Sequence, residues 1–253
     1  MIPAAAGLVT LVCTFGGVLV GRVIRKFLPR DHVSDDSRDT IKLGIALVAT
    51  MTALVLGLVT ASAKSSFDAV DSVVKQAAAQ LLSLDRLLAR YGPETALIRE
   101  ALKATVADRV DAIWSPDPSR SARYDPLRVA QGVERLAAQT RRLAPQTEEQ
   151  RRLQSRAVEL AESLLEVRWL VFGSLGSGIP VYFLVILLFW LAITFACFGM
   201  LAPPNATVVS ILFVCALSVS GAVFLILEMD GPFDGLIVVS PEPLKYALAH
   251  LNR

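Results

Sequence analysis

Charge is missing from this sequence where a soluble protein would need it. Four stretches, from about Pro3 to Gly21, Leu43 to Ala63, Ile179 to Leu201 and Ala206 to Leu227, hold no Asp, Glu, Lys, Arg or His. Histidine is scarce throughout, with only His32 and His250, at opposite ends of the chain. The three cysteines, Cys13, Cys197 and Cys215, all fall inside apolar stretches without CxxC spacing, which argues against zinc and disulfides. No HExxH, GxSxG, GxGxxG or Walker sequence is present, so no enzyme is expected. The excess of positive charge is small, 25 basic against 23 acidic residues, and leaves no footprint for nucleic acid.

What is present is apolar and arranged in blocks. Hydrophobic residues make up 54% of the chain and charged residues 19%, against roughly 45–50% and 25% in soluble domains. The mean hydropathy is +0.54. Each uncharged stretch is about 19–23 residues long, matching the ~20 residues that carry a helix across ~30 Å of hydrocarbon. One charge at the centre of such a helix would cost about 2.5–3.5 kcal/mol on insertion scales. The expected fold is an all-α membrane protein with four transmembrane helices. The first is read as an uncleaved helix, since it lacks a positive n-region and a small-x-small site near its end.

Lys and Arg near the helix ends set the orientation. The loop after the first span holds Arg22, Arg25, Lys26, Arg30, Arg38 and Lys42, which favours the cytoplasm for it and the outer side for the region between spans two and three. That region is helical by period. Phe67, Val70, Val74, Ala77, Leu81, Leu84 and Leu88 form a heptad seam, stopped by Gly92-Pro93. Further amphipathic runs carry Ile98, Leu102, Val106, Val110 and Ile113; then Val133, Leu136, Thr140 and Leu143; then Leu153, Ala157, Leu160, Leu164 and Val167. Four such helices with short connections imply an inserted antiparallel bundle. The parts are then 1–63 (spans one and two with the basic loop), 64–178 (the bundle), 179–228 (spans three and four) and 229–253 (a turn and short helix). No helix-breaker separates Ala61 from Phe67, so the second span should run on into the bundle.

Three groups of residues stand out as sites. The second span carries Thr50, Ala53, Gly57 and Thr60, which either pack closely against another helix or line a pore. Gly173, Gly176 and Gly178 make either a hinge below the third span or a simple membrane-entry turn. Glu228, Asp230 and Asp234 crowd the end of the last span. They serve turns, or their oxygens hold a hard cation such as calcium; the metal itself stays unknown. No other cofactor is implied. Ser240 and Pro241 can then open a short helix.

The second span and its flank, Val48-Ala49-Thr50, Ala53-Leu54-Val55-Leu56-Gly57 and Ala61-Ser62-Ala63-Lys64-Ser65-Ser66, resemble the bacterial bestrophin-like domain family. So does the tail, with Asp230, Pro232-Phe233, Gly235-Leu236-Ile237 and Ser240-Pro241-Glu242-Pro243-Leu244. The resemblance implies a bacterial inner-membrane protein and, through the bestrophins proper, a homo-oligomeric anion channel with calcium near its mouth. Of the bestrophin Asn-Pro-Phe-Gly quartet, only Pro232-Phe233 is matched here; Gly231 and Asp234 replace its ends. Four closely packed helices leave no conduit in one chain, and with the heptad seam this points to assembly from several copies. The alternative is a non-conducting scaffold or sensor whose bundle binds a protein partner, with the lipid bilayer as its other neighbour.

Overall fold

The computed structural model describes residues 2–27, 35–114, 126–175, 180–203, 205–233 and 235–253. Among them are eight helices and no strand: α1 (Ile2–Phe27), α2 (Asp35–Tyr91), α3 (Ala96–Trp114), α4 (Pro126–Arg141), α5 (Glu148–Leu175), α6 (Val181–Leu201), α7 (Ala206–Asp230) and α8 (Glu242–His250). Four of them are long and apolar enough to cross a membrane: α1, α2, α6 and α7. The chain divides into two compact units, residues 1–67 with 177–237 and residues 68–176 with 238–253. The 57-residue α2 runs from one into the other without a break, as the lack of a helix-breaker after Ala61 predicts.

In the first unit α1 packs along α6 and α7. The core consists of Val18, Leu187, Leu191, Phe195, Ala216 and Val223, with Val55 and Leu56 of α2 packed against it. Phe15 meets Phe213 edge to face, with 5.1 Å between ring centroids. Backbones approach closely because glycines face them: a Cβ on Gly21 would overlap the Ala196 carbonyl, and one on Gly199 the Val18 carbonyl. In lipid, where burying apolar surface gives helices little reason to associate, this fit is what holds them together. Polar groups find partners within a helix or on its neighbour. Thr14 donates to the Thr10 carbonyl at 2.7 Å, Ser220 donates to the Gly7 carbonyl, and Arg25 donates to the Ala202 carbonyl at the end of α6. Away from the core, Leu8, Val12, Tyr182, Phe189, Ile211 and Val214 are exposed, as lipid-facing side chains are.

The second unit buries the seam read from the sequence, with one shift. Val70, Val74, Leu81, Leu84 and Leu88 are buried, but Ala78 takes the place expected of Ala77. Gly92, at φ 144°, ends α2 in a backbone conformation open to glycine. The Thr95 hydroxyl then donates to the Leu88 carbonyl at 2.6 Å and ties the turn down. Ile98, Leu102, Val106 and Val110 bury one face of α3. Leu136, Ala137, Ala157, Ala161 and Leu164 do the same for α4 and α5. The segment read as a separate tail divides: 229–237 lies with the spans, while 238–253 folds onto the second unit. There Val239, Leu244, Ala247 and Leu251 are all buried, and α8 packs on α3.

Candidate functional site

Spacings of three, four and three place Thr50, Ala53, Gly57 and Thr60 on one face of α2. All four are exposed, and apart from the adjoining residues and backbone of α2 itself, no atom of the described chain lies within 4 Å of where a Gly57 Cβ would stand. The Thr50 and Thr60 hydroxyls donate to the Ala46 and Leu56 carbonyls, each at 2.7 Å. Their protons are thereby engaged while an oxygen lone pair stays available. A different face of α2 is the covered one, with Ile45, Thr52 and Ala63 buried. A second exposed stripe runs beside the small one: Leu43, Leu47, Leu54 and Leu58 are 74%, 64%, 73% and 69% exposed. The uncovered surface of α2 is therefore two surfaces, one of large aliphatic groups and one of small and hydroxyl-bearing groups.

At the end of the last span, Glu228 is only 4% exposed. A carboxylate in the final turn of a helix faces the negative end of the helix dipole. Backbone donors offset this: the Leu236 and Ile237 amides bond Glu228 Oε2 at 2.6 and 3.3 Å. Gly235, at φ 109°, lets the chain come this close, since a Cβ there would run into the same carboxylate. Asp230 is half-buried, and Asp234 lies outside the described residues. Among the described residues no three acidic, His or Cys groups converge as metal ligands. One Glu228 oxygen is thus committed to backbone amides. Of the three glycines below the third span, Gly173 lies within α5, whereas Gly176 and Gly178 fall outside the described residues.

A third feature escaped the sequence reading. Asp85, fully buried within the seam, receives Arg99 Nε and Nη2 at 2.7 and 3.0 Å. The Arg99 pKa is raised, first by this hydrogen bond. The same carboxylate accepts the Asn252 amide at 3.3 Å, and Lys103 Nζ reaches the Leu251 carbonyl at 3.3 Å. Trp114 Nε1 donates to the Val239 carbonyl at 2.8 Å. The only signal in the sequence was a carboxylate four residues after Leu81, on the apolar face of a helix.

The Bestrophin-like domain matches residues 12–244, from within the first span to the start of α8. The chain belongs to the bestrophin-like family. No curated protein and no solved structure matches it. The segments that carry the family likeness coincide with the geometry above. In this bestrophin-like protein, Ala53 and Gly57 stand on the open stripe of α2. Gly235, Leu236 and Ile237 wrap Glu228, and Leu244 is buried at the start of α8. With four apolar spans and this family domain, it is a membrane protein.

Proposed function

We propose that this bestrophin-like protein acts without catalysis as a homo-oligomeric, ion-conducting assembly, with Thr50, Ala53, Gly57 and Thr60 lining its axis and anions as the permeant class. The observation that supports this reading is the divided outer surface of α2. Lipid accommodates the leucine stripe. The small-residue stripe buries little in lipid and suits either a neighbouring backbone or water. The core of the first unit is filled by Val18, Leu187, Leu191 and Phe195, so conduction would run between copies rather than through one. The described spans hold no ring-forming charge at their centres, which leaves hydroxyls, backbone and mouth residues to select the ion. The basic loop is assigned to the cytoplasm and the helical insert to the outer side of a bacterial inner membrane.

The test is flux from verified oligomers in liposomes under chloride and potassium gradients, compared with Gly57→Leu. Silence under both gradients overturns the reading. A second reading, a scaffold whose insert holds a protein partner, is favoured by Leu97 and Tyr246, 79% and 62% exposed on α3 and α8. It predicts a co-purifying protein lost when the insert, but not the spans, is replaced.

A further inference from the structure

A groove of about 470 Å³ opens between α2 and α5, lined by Arg86, Arg90 and Arg156 with Leu82, Leu87 and Leu160. Two of its three cations carry no partner among the described residues. Several other helical cations pair with a carboxylate three or four residues away: Lys75 with Asp71, Arg151 with Glu148, Lys245 with Glu242. Arg156 follows that rule through Glu159, at 2.9 Å. Arg86 and Arg90 form no hydrogen bond or ion pair among the described residues. Asp85, next to Arg86 in the chain, is committed to Arg99. Four residues apart on one helix, two arginines face each other one turn apart, and like charges so placed repel.

The floor beneath them is aliphatic. Leu82, Leu87 and Leu160 are all half-buried, and among the described residues no aromatic ring lines the groove on which a nucleobase could stack. Guanidinium forks match phosphate and carboxylate oxygens in pairs. The volume falls within the range of small-molecule sites, ~300–1,000 Å³. At ~30 Å³ for each water-sized group it admits roughly fifteen heavy atoms.

The geometry points to a binding site for a small amphiphilic anion: a phosphate or carboxylate head held by Arg86 and Arg90, with a short alkyl chain along Leu82, Leu87 and Leu160. The head relieves the repulsion between the two arginines, and the chain covers leucine surface that water otherwise meets. Arg156, already engaged by Glu159, closes the rim. This assignment is independent of whether the spans conduct.

Calorimetric titration of the full chain in phosphatidylcholine nanodiscs with hexyl phosphate tests it. One saturable site is expected, at least tenfold tighter than for inorganic phosphate. The double variant R86Q/R90Q should weaken binding tenfold or more while keeping its unfolding midpoint, since both side chains are exposed and pair with nothing among the described residues. Arg156→Gln should weaken it less. Four results would each overturn the proposal: no saturable heat, phosphate binding as tightly as hexyl phosphate, binding unchanged in R86Q/R90Q, or a changed oligomer mass in that variant. The last would give the groove to a second copy of the chain. Loss of hexyl phosphate binding in discs containing phosphatidic acid would assign the head group to a lipid rather than to a soluble anion.

Discussion

Asp85 and Arg99 meet through two hydrogen bonds, 2.7 and 3.0 Å long, in a position where the carboxylate has no contact with solvent. The pair bridges α2 and α3 and also receives the backbone of residue 252. Removing Asp85 strands a guanidinium that is mostly buried, with only the Arg253 carbonyl left to it. Asp85→Ala is therefore expected to destabilise the second unit by about 3–5 kcal/mol. Replacing both residues by apolar ones should cost much less. Chemical denaturation of the two variants in detergent checks the difference.

Tyr91 predicts a dependence on pH. Its hydroxyl is buried with no hydrogen-bond partner among the described residues. Burial, and secondly the Glu94 carboxylate, raise its pKa above the ordinary tyrosine value. An acid whose folded pKa is raised stabilises the fold below its unfolded pKa, about 10, and loses that contribution as pH rises further. The melting temperature should fall above pH 10. Tyr91→Phe should remove that component of the fall and be neutral or stabilising by about 1 kcal/mol at pH 7, because it deletes an unsatisfied group.

Gly21 and Gly57 look alike in the sequence but have opposite surroundings. Gly21→Leu drives a side chain into the Ala196 carbonyl and should cost at least about 1–3 kcal/mol, read as a lower unfolding midpoint or lost yield. Gly57→Leu meets open space within one chain. It should leave the isolated chain folded, gaining up to about 1 kcal/mol of helix propensity, while lowering liposome flux at least tenfold.

Glu228 should act as a fastener of the chain that leaves the last span. Glu228→Ala deprives two amides of their acceptor and is expected to cost about 2–3 kcal/mol, with Glu228→Gln costing less. Hydrogen exchange at Leu236 and Ile237 is the direct readout. Protection at both amides should drop in the Ala variant, and unchanged protection would mean that other groups hold the turn.

Trp114 holds the next part of that chain. Trp114→Phe loses the bond to the Val239 carbonyl but keeps most of the ring's apolar surface, for about 1 kcal/mol. Limited proteolysis should then cut sooner between residues 238 and 253, with the rest of the chain unaffected.

Much of this architecture was legible beforehand, for physical reasons that differ by element. The stop at Gly92-Pro93 followed from proline's missing amide and glycine's backbone freedom. The continuity of α2 through Ala61–Phe67 followed from the lack of any such breaker. The seam was legible to within one residue, because helical periodicity is set locally along the chain. The role of Glu228 was not. Three carboxylates near a turn look alike in sequence, and only the approach of residues 236 and 237 shows that Glu228 holds backbone amides.

The sequence by itself determined where the chain enters lipid. The free energy of inserting a helix is close to a sum over its own residues, so a run without charge decides it wherever its neighbours lie. Tertiary structure alone decided that Asp85 finds Arg99 fourteen residues away, that 238–253 closes onto α3, and that one stripe of α2 is left uncovered by its own chain. Those outcomes depend on which surfaces meet in space, and no period or composition along the chain encodes that meeting.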